Sequence, residues 1–381
     1  MDEKFFDGFQ ADTKLKLAIF RDYVREWLPV FLTRKPYPEI VIMDGFCGQG
    51  TDRSGEPGTP LILLEEIKNY YQARSSVATE TPIRILFNDK EPSYISGLQR
   101  NTAPLVSEIE QFHNNVHILF ETRLFADFWQ VNRSLLAGGV PALVILDQFG
   151  FRDLTTTVLE DLVSMGRTDF LAFLPSSYLK RFRNESSIQE KAPFDLSVLD
   201  DVRNSEIHQT VCDQYKKMIP AGACYHLAPF SIQQENHANI FGVIFGSGDL
   251  LGLEKFLNVA WKHDPWTGEK NFPANSREKD YRHSQNYLSE FDNRPEKIIK
   301  FEEDLIQFIK DKRPTNVDLY RFVLEHGFIP RIVNGILHSM ERDGTIEVRP
   351  IDVQRKIRRG AYYINNSSQE TVRFCYTTQL F

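Results

Sequence analysis

Cysteine is scarce in this chain, and long apolar runs are missing. Of 381 residues only four are cysteines, at 47, 212, 224 and 375, with no C-x-x-C pair and no zinc-ligand spacing. That excludes a disulfide scaffold and offers no metal ligand set, so reduced thiols in a cytoplasmic protein are the simple reading. No apolar segment approaches the about 18 residues that a membrane span needs. The opening Met-Asp-Glu-Lys-Phe-Phe carries acids and lacks the apolar core of a secretory leader, so no membrane contact is expected. Positive charge is not in excess either. A net charge of −7 argues against non-specific coating of nucleic acid and leaves room only for a local basic face. With 41% hydrophobic and 25% charged residues the composition is that of an ordinary globular protein. The length exceeds one typical domain of about 100–200 residues, which predicts two domains or one domain with an appendage.

Residues 39–50, Glu-Ile-Val-Ile-Met-Asp-Gly-Phe-Cys-Gly-Gln-Gly, are the most informative stretch. A β-branched apolar run ends in Asp44, and glycines follow at 45, 48 and 50, as in a buried strand that enters a tight loop. Glycine serves where φ must be positive or where a ligand approaches the backbone, and an acid at a strand's carboxyl end stands where open α/β sheets bind ligands. A dinucleotide fingerprint reads G-x-G-x-x-G with an acid about 20 residues on. Here the spacing is Gly45-x-x-Gly48-x-Gly50, and the next strand-end acid, Asp89, lies much further along. A nicotinamide cofactor is therefore disfavoured against an S-adenosylmethionine loop, in which an acid and glycines cradle an amino acid and a ribose without binding phosphate. A glycine turn without a ligand is the bland alternative.

Around this loop the pattern is one of strands alternating with helices. An amphipathic helix over residues 13–32 carries Leu17, Phe20, Val24 and Leu28 on one stripe. It covers the sheet, and Lys14 and Lys16 are candidates to reach a ligand carboxylate. A helix over 61–71 has Thr59 near its N-cap and Pro60 in its first turn. Strands are predicted over 83–88, 116–120, 141–146 and 170–174, and helices over 92–100 and 155–165. The run at 141–146 is apolar throughout, as befits a central parallel strand, and it leads into Asp147-Gln148-Phe149-Gly150. Strand-like runs at 225–232 and 240–245 suggest an antiparallel hairpin at one margin of a mostly parallel sheet. Residues 180–206 read as an insertion or lid.

The stretch 265–300 is polar and reads as a connector. Beyond it, helices over 301–310, 316–325 and 330–342, and strands over 345–349 and 361–364, make a winged helix-turn-helix. Arg331, Asn334 and His338 share one face of the third helix, and Arg355, Lys356, Arg358 and Arg359 give the wing a basic tip. From Arg313 to Phe381 there are ten Lys and Arg against seven Asp and Glu, a small surplus for a DNA- or RNA-binding unit, and protein docking is the competing role. The domain expectation is a helical cover over 1–38, the sheet domain over 39–264, the connector over 265–300 and the winged helix over 301–381.

With these pieces in order the chain resembles the three-Cys-motif partner (TcmP) family, proteins similar to class I S-adenosylmethionine-dependent methyltransferases. The resemblance is carried by 14–27, by 44–50, by Gly55-Glu56-Pro57-Gly58-Thr59-Pro60, by Asn88-Asp89-Lys90-Glu91-Pro92, by 147–151 and by Ala260-Trp261-Lys262-His263-Asp264-Pro265. It implies a Rossmann-like methyltransferase sheet followed by the winged helix, with S-adenosylmethionine as the cofactor. Asp44, Gly45, Phe46, Gly48, Gly50 and Lys16 would line the cofactor loop, and Asp89 would accept from the ribose hydroxyls, unless it merely caps the helix near Pro92. Asp147, Gln148 and Phe149 occupy the catalytic strand end, where amino-directed methyltransferases use Asp or Asn, Pro, Pro and an aromatic to align the target nitrogen. Here Gln148 stands where relatives usually have Pro, and Phe149 comes one place early. Two readings of the resemblance stay open. One is a methyltransferase acting on or with nucleic acid, in the mobile-element or phage-defence setting associated with the family. The other is an inactive scaffold that binds DNA and a three-Cys-motif partner protein.

Overall fold

The computed structural model describes residues 11–33, 37–74, 81–148, 150–233, 239–269, 294–354 and 356–377. The chain divides into two compact units, Met1–Val259 and Ala260–Phe381.

The first unit is built on a seven-stranded sheet in the order β3-β2-β1-β4-β5-β7-β6. Its strands are β1 (Ile40–Asp44), β2 (Ile83–Asp89), β3 (Val116–Thr122), β4 (Ala142–Leu146), β5 (Thr168–Leu174), β6 (His226–Gln233) and β7 (Ile240–Ser247). The first five pair in parallel, whereas β7 runs antiparallel to both β5 and β6. The mostly parallel sheet with an antiparallel hairpin at one margin is thus as expected. Every residue of β1 and β4 is buried, which requires cover on both faces. One face packs on α4 (Phe125–Asn132), α5 (Thr156–Ser164) and α8 (Ile207–Met218), where Phe128, Trp129, Leu162 and Tyr215 join one apolar core with Val144 and Phe170. The segment read as an insertion, 180–206, takes in the end of α6 (Ser176–Arg181) and the short α7 (Ser186–Gln189).

Helix α1 (Ala11–Leu32) covers the opposite face beside α2 (Thr59–Ala73) and α9 (Leu250–His263). Its stripe of Leu17, Phe20, Val24 and Leu28 is buried. Two polar ties fix its axis. Arg25 grips Glu66 of α2 with two bonds, Nε to Oε2 at 2.6 Å and Nη2 to Oε1 at 2.8 Å. The Tyr23 hydroxyl donates to Oδ2 of Asp169 in β5 at 2.7 Å, and its ring meets Phe245 of β7 edge-on with centroids 5.0 Å apart. Asp169 is fully enclosed, and burial raises its pKa to about 6 despite the bonds from Ser247 and Tyr23.

Two elements depart from the sequence reading. Helix α3 (Pro92–Phe112) runs twelve residues past Arg100 and carries Pro104 within it. Helix α4 was not anticipated, although Phe125, Phe128 and Trp129, all buried, have the spacing of an amphipathic helix.

The second unit holds α10 (Glu296–Lys312), α11 (Asn316–Glu325) and α12 (Pro330–Arg342), then β8 (Ile346–Pro350) paired antiparallel with β9 (Val372–Tyr376). Helix α10 starts within the segment read as a connector, of which residues 270–293 lie outside the described ones. Helix α11 opens on a reciprocal capping box between Thr315 and Asp318. The second strand of the ribbon is Val372–Tyr376 and not 361–364. Asn316, 1% exposed, explains the difference. Its Nδ2 donates to the carbonyls of Tyr363 and Gln369, and its Oδ1 accepts from the backbone N–H groups of Thr371 and Val372. Residues near 363 therefore satisfy a buried side chain and not a strand ladder.

Replacing Tyr23 with Phe keeps the ring and leaves the enclosed Asp169 carboxyl short of one donor, a loss of about 1–3 kcal/mol. The Tyr23→Phe protein is expected to melt several degrees below the wild type in a thermal scan; an unchanged Tm would show that the bond does not hold α1.

Candidate functional site

The carboxyl ends of β1, β2 and β4 bring most of the predicted residues together. Asp44, the last residue of β1, lies in register between Phe87 of β2 and Ile145 of β4 and is fully buried. Its Oδ1 accepts from the Phe46 N–H at 3.1 Å and its Oδ2 from the Thr59 hydroxyl at 2.8 Å. Among the described residues no ammonium or guanidinium is bonded to it. Burial therefore raises its pKa to about 7; the two hydrogen bonds oppose the shift, and the nearby Asp147 and Asp89 add to it.

The glycine loop is closed by contacts on three sides. Gly45 donates to the Ile145 carbonyl at 3.0 Å, and a Cβ there would come within 2.8 Å of the Phe125 ring. That ring stacks on Phe46 with centroids 4.9 Å apart, so the unanticipated α4 forms one wall. Gly50 adopts φ +84°, and a side chain there would meet Leu61 and Leu98 at 2.6 Å. Gly48 differs, because at φ +59° its Cβ direction is open, with nothing within 4 Å. Its N–H donates to Asp89 Oδ2 at 3.1 Å, while Oδ1 of Asp89 accepts from the Glu91 N–H at 2.9 Å. Burial raises the Asp89 pKa and these two N–H groups hold it down. Asp89 thus ties the glycine loop to the N–H of Glu91, the residue before α3.

Asn88 was given no role from the sequence, and Thr59, read there as near an N-cap, is instead the first residue of α2 with its hydroxyl on Asp44. Asn88 is 1% exposed. Its Nδ2 donates to the carbonyls of Gly45 and Arg123, and its own carbonyl accepts from the Cys47 N–H at 2.9 Å. The Cys47 thiol is buried beside Asp44 and Asp89, and burial foremost pushes its pKa up, so it offers no thiolate.

At the end of β4, Asp147 Oδ2 accepts from the Lys16 ammonium at 2.6 Å. Lys16, read as a partner for a ligand carboxylate, is instead bound to the residue read as catalytic, and its ammonium also lies 4.7 Å from the Phe173 ring centroid in β5. Gln148 turns inward. Its Oε1 accepts from the Asp153 N–H at 2.6 Å, and its Nε2 is buried with no hydrogen-bond partner among the described residues. Phe149 lies outside the described residues.

On the second unit, Arg331, Asn334 and His338 are all exposed on α12, opposite the buried Val333, Leu337 and Met340. Lys356, Arg358 and Arg359 are exposed in the wing, and Arg355 lies outside the described residues. Arg342 and Arg349 pair with Asp343 and Glu347, whereas Arg331, Lys356 and Arg358 form no ion pair among the described residues. No group of three or more His, Cys, Asp or Glu side chains is arranged for a metal among the described residues. Likewise, no helix there is long and apolar enough to cross a membrane.

A family model, the GMT-like wHTH domain, matches residues 274–352. No curated protein matches the chain. Solved structures similar to it include a candidate rRNA methylase from Clostridium thermocellum, at 10% identity over 58% of this chain and 93% of that one, TM-score 0.30. Another is a candidate class I S-adenosylmethionine-dependent methyltransferase from Listeria monocytogenes, at 12% identity, 64% of each chain and TM-score 0.30. The chain thus spans slightly less than two thirds of the Listeria protein. A candidate methyltransferase from Streptococcus mutans in complex with SAH aligns at 8% identity over 63% of this chain and 99% of that one, TM-score 0.30. The fold assignment rests on the strand order and direction given above.

A carboxyl whose pKa is higher in the folded than in the unfolded chain favours folding while it is protonated. That contribution is complete below the unfolded value near about 3.9 and is lost as pH rises through about 7. Asp44→Asn removes the charge but keeps the shape, so its Tm relative to the wild type is expected to climb from pH 5 to pH 8. A difference that does not vary with pH would show that Asp44 ionises freely.

Proposed function

We propose that this chain binds S-adenosylmethionine at the carboxyl ends of β1 and β2 and acts on or with nucleic acid as a methyltransferase. The carrying observation is the open face of Gly48 in a loop that bonds both Asp44 and Asp89 through its N–H groups. An L side chain at Gly48 would be strained at φ +59° and would project into the space before the loop. Asp44, enclosed without a cationic partner among the described residues, suits a positively charged ligand group, because such a group would favour its ionised form. Asp89 presents a carboxylate suited to a pair of hydroxyls. An amino acid joined to a sulfonium and a ribose matches that set of acceptors, whereas a pyrophosphate would meet two acids.

Bound S-adenosylmethionine supplies an electrophilic methyl group. The chain's part is to hold and orient. Asp44 and the loop N–H groups fix the loop, Asn88 ties it to β2, and Asp147 stands at the neighbouring strand end, where an acceptor nitrogen would donate a hydrogen bond to its carboxylate. On the second unit, Arg331, Lys356 and Arg358, which form no ion pair among the described residues, together with Asn334 and His338 suit contacts with phosphates and base edges. The resemblance to the three-Cys-motif partner family extends this reading to a mobile-element or phage-defence setting.

A second reading, a silent scaffold that binds DNA and a three-Cys-motif partner protein, is favoured by the strand end after β4. There Lys16 occupies Asp147, and the Gln148 side chain is turned inward.

Calorimetry with S-adenosylhomocysteine tests the cofactor site. Wild-type protein is expected to bind, Asp89→Ala to lose about tenfold or more in affinity for want of the hydroxyl acceptor, and Asp147→Ala to retain binding. Transfer of labelled methyl groups to DNA or RNA that is lost in Asp147→Ala selects the enzyme over the scaffold. For the winged helix, Arg331→Ala and Lys356→Ala are each expected to weaken duplex DNA binding across sequences. Each should lower the slope of log affinity against log salt by about one; unchanged slopes would exclude phosphate contacts there.

A further inference from the structure

Lys16 is the one residue of the site whose partner contradicts the expectation drawn from its chemistry. Its ammonium has three donors and bonds Asp147 Oδ2 at 2.6 Å, with the Phe173 ring 4.7 Å away as the other contact. The side chains are 15% and 26% exposed, so the pair lies at the wet margin of the site and not in the core.

The surroundings make that cation scarce. Asp44 and Asp89 border the glycine loop, and Asp147 lies close enough to raise the pKa of Asp44. Lys90 is exposed and acts electrostatically on Asp89, on the ribose side of the loop as read above. A zwitterionic amino-acid ligand therefore finds carboxylates for its cationic groups, and Lys16 offers an ammonium for its own carboxylate.

We infer that the Lys16–Asp147 ion pair is an exchangeable latch, in which Lys16 leaves Asp147 for the carboxylate of the bound amino-acid moiety and so frees Asp147 for an acceptor. The inference rests on the S-adenosylmethionine reading of the site. Two features suit the exchange. A partly exposed ion pair is weak, and lysine is a point charge on a flexible stem that re-aims without a fixed fork geometry. Helix α1 itself need not move, because Tyr23 and Arg25 bind it to Asp169 and Glu66. Lys16 is thus a positioning residue that orders the two binding events, cofactor before acceptor.

The test compares two ligands by calorimetry on the full chain, S-adenosylhomocysteine and 5′-methylthioadenosine, which lacks the amino-acid carboxylate. Asp147→Asn frees Lys16 in advance and is expected to tighten S-adenosylhomocysteine by about three- to tenfold while leaving 5′-methylthioadenosine within about twofold. Lys16→Met should weaken S-adenosylhomocysteine, and adding Asp147→Asn to Lys16→Met should then change nothing. Far-ultraviolet circular dichroism and thermal melts establish that each variant is folded. If S-adenosylhomocysteine binds the wild type but does not tighten in Asp147→Asn, the latch is overturned. A gain that persists in the Lys16→Met background overturns it too, since the effect would then be through-space repulsion by Asp147. Absence of heat with both ligands overturns the cofactor reading itself, and the latch with it.

Discussion

The enclosed carboxyl of Asp44 is the constraint on which the rest of the first unit turns. A carboxyl removed from water must find donors at once or stay protonated. Asp44 finds one within its own loop, at Phe46, and one across the turn, at Thr59. The first fixes where the chain leaves β1, and the second fixes where α2 begins. The glycines between them follow as consequences. Gly45 passes under the Phe125 ring, Gly50 threads between Leu61 and Leu98, and Gly48 is left facing outward. Two of the three answer to packing, and the Cβ direction of the third is open.

Helix α1 does more than cover the sheet. Tyr23 and Arg25 anchor it through buried acids on two different elements, β5 and α2. That places Lys16, two turns from Tyr23, over the ends of β4 and β5. A long flexible lysine is thereby held within 2.6 Å of Asp147. The mean position of the ion pair is thus set by the helix, and the side chains alone remain free to rearrange. The second unit uses its buried polar residues to the same end. Asn316 satisfies four backbone groups of the wing, and among the described residues Arg331, Lys356 and Arg358 form no ion pair, whereas Arg342 and Arg349 do.

Much of this was legible in the sequence, and the parts that were not share a cause. Strands with continuous apolar runs, such as 141–146, announce themselves because burial on both faces leaves no polar position. The N-terminus of α11 was legible from Thr315 because capping is a matter of three or four neighbouring residues. Helix α4 has the same kind of local signal in Phe125, Phe128 and Trp129, but it is short and lies directly after a strand. The second ribbon strand was misplaced because a local apolar cluster, Ala361 to Ile364, resembles a strand wherever the real ladder lies. Only Asn316, nearly fifty residues away, decides that those backbone groups bond a side chain.

By itself the sequence determined the alternation of strands and helices, the acid-and-glycine loop after β1, and a winged unit with a basic wing tip, since each depends on periodicity or on residues a few places apart. Tertiary structure alone decided which distant groups meet. Thr59 reaches Asp44 across a turn, Asn88 ties the loop to β2, and Lys16 takes Asp147 from 131 residues away. The reason is the strand order. Placing β4 between β1 and β5 brings Asp147 beside Asp44 and under α1, and no local pattern encodes that adjacency.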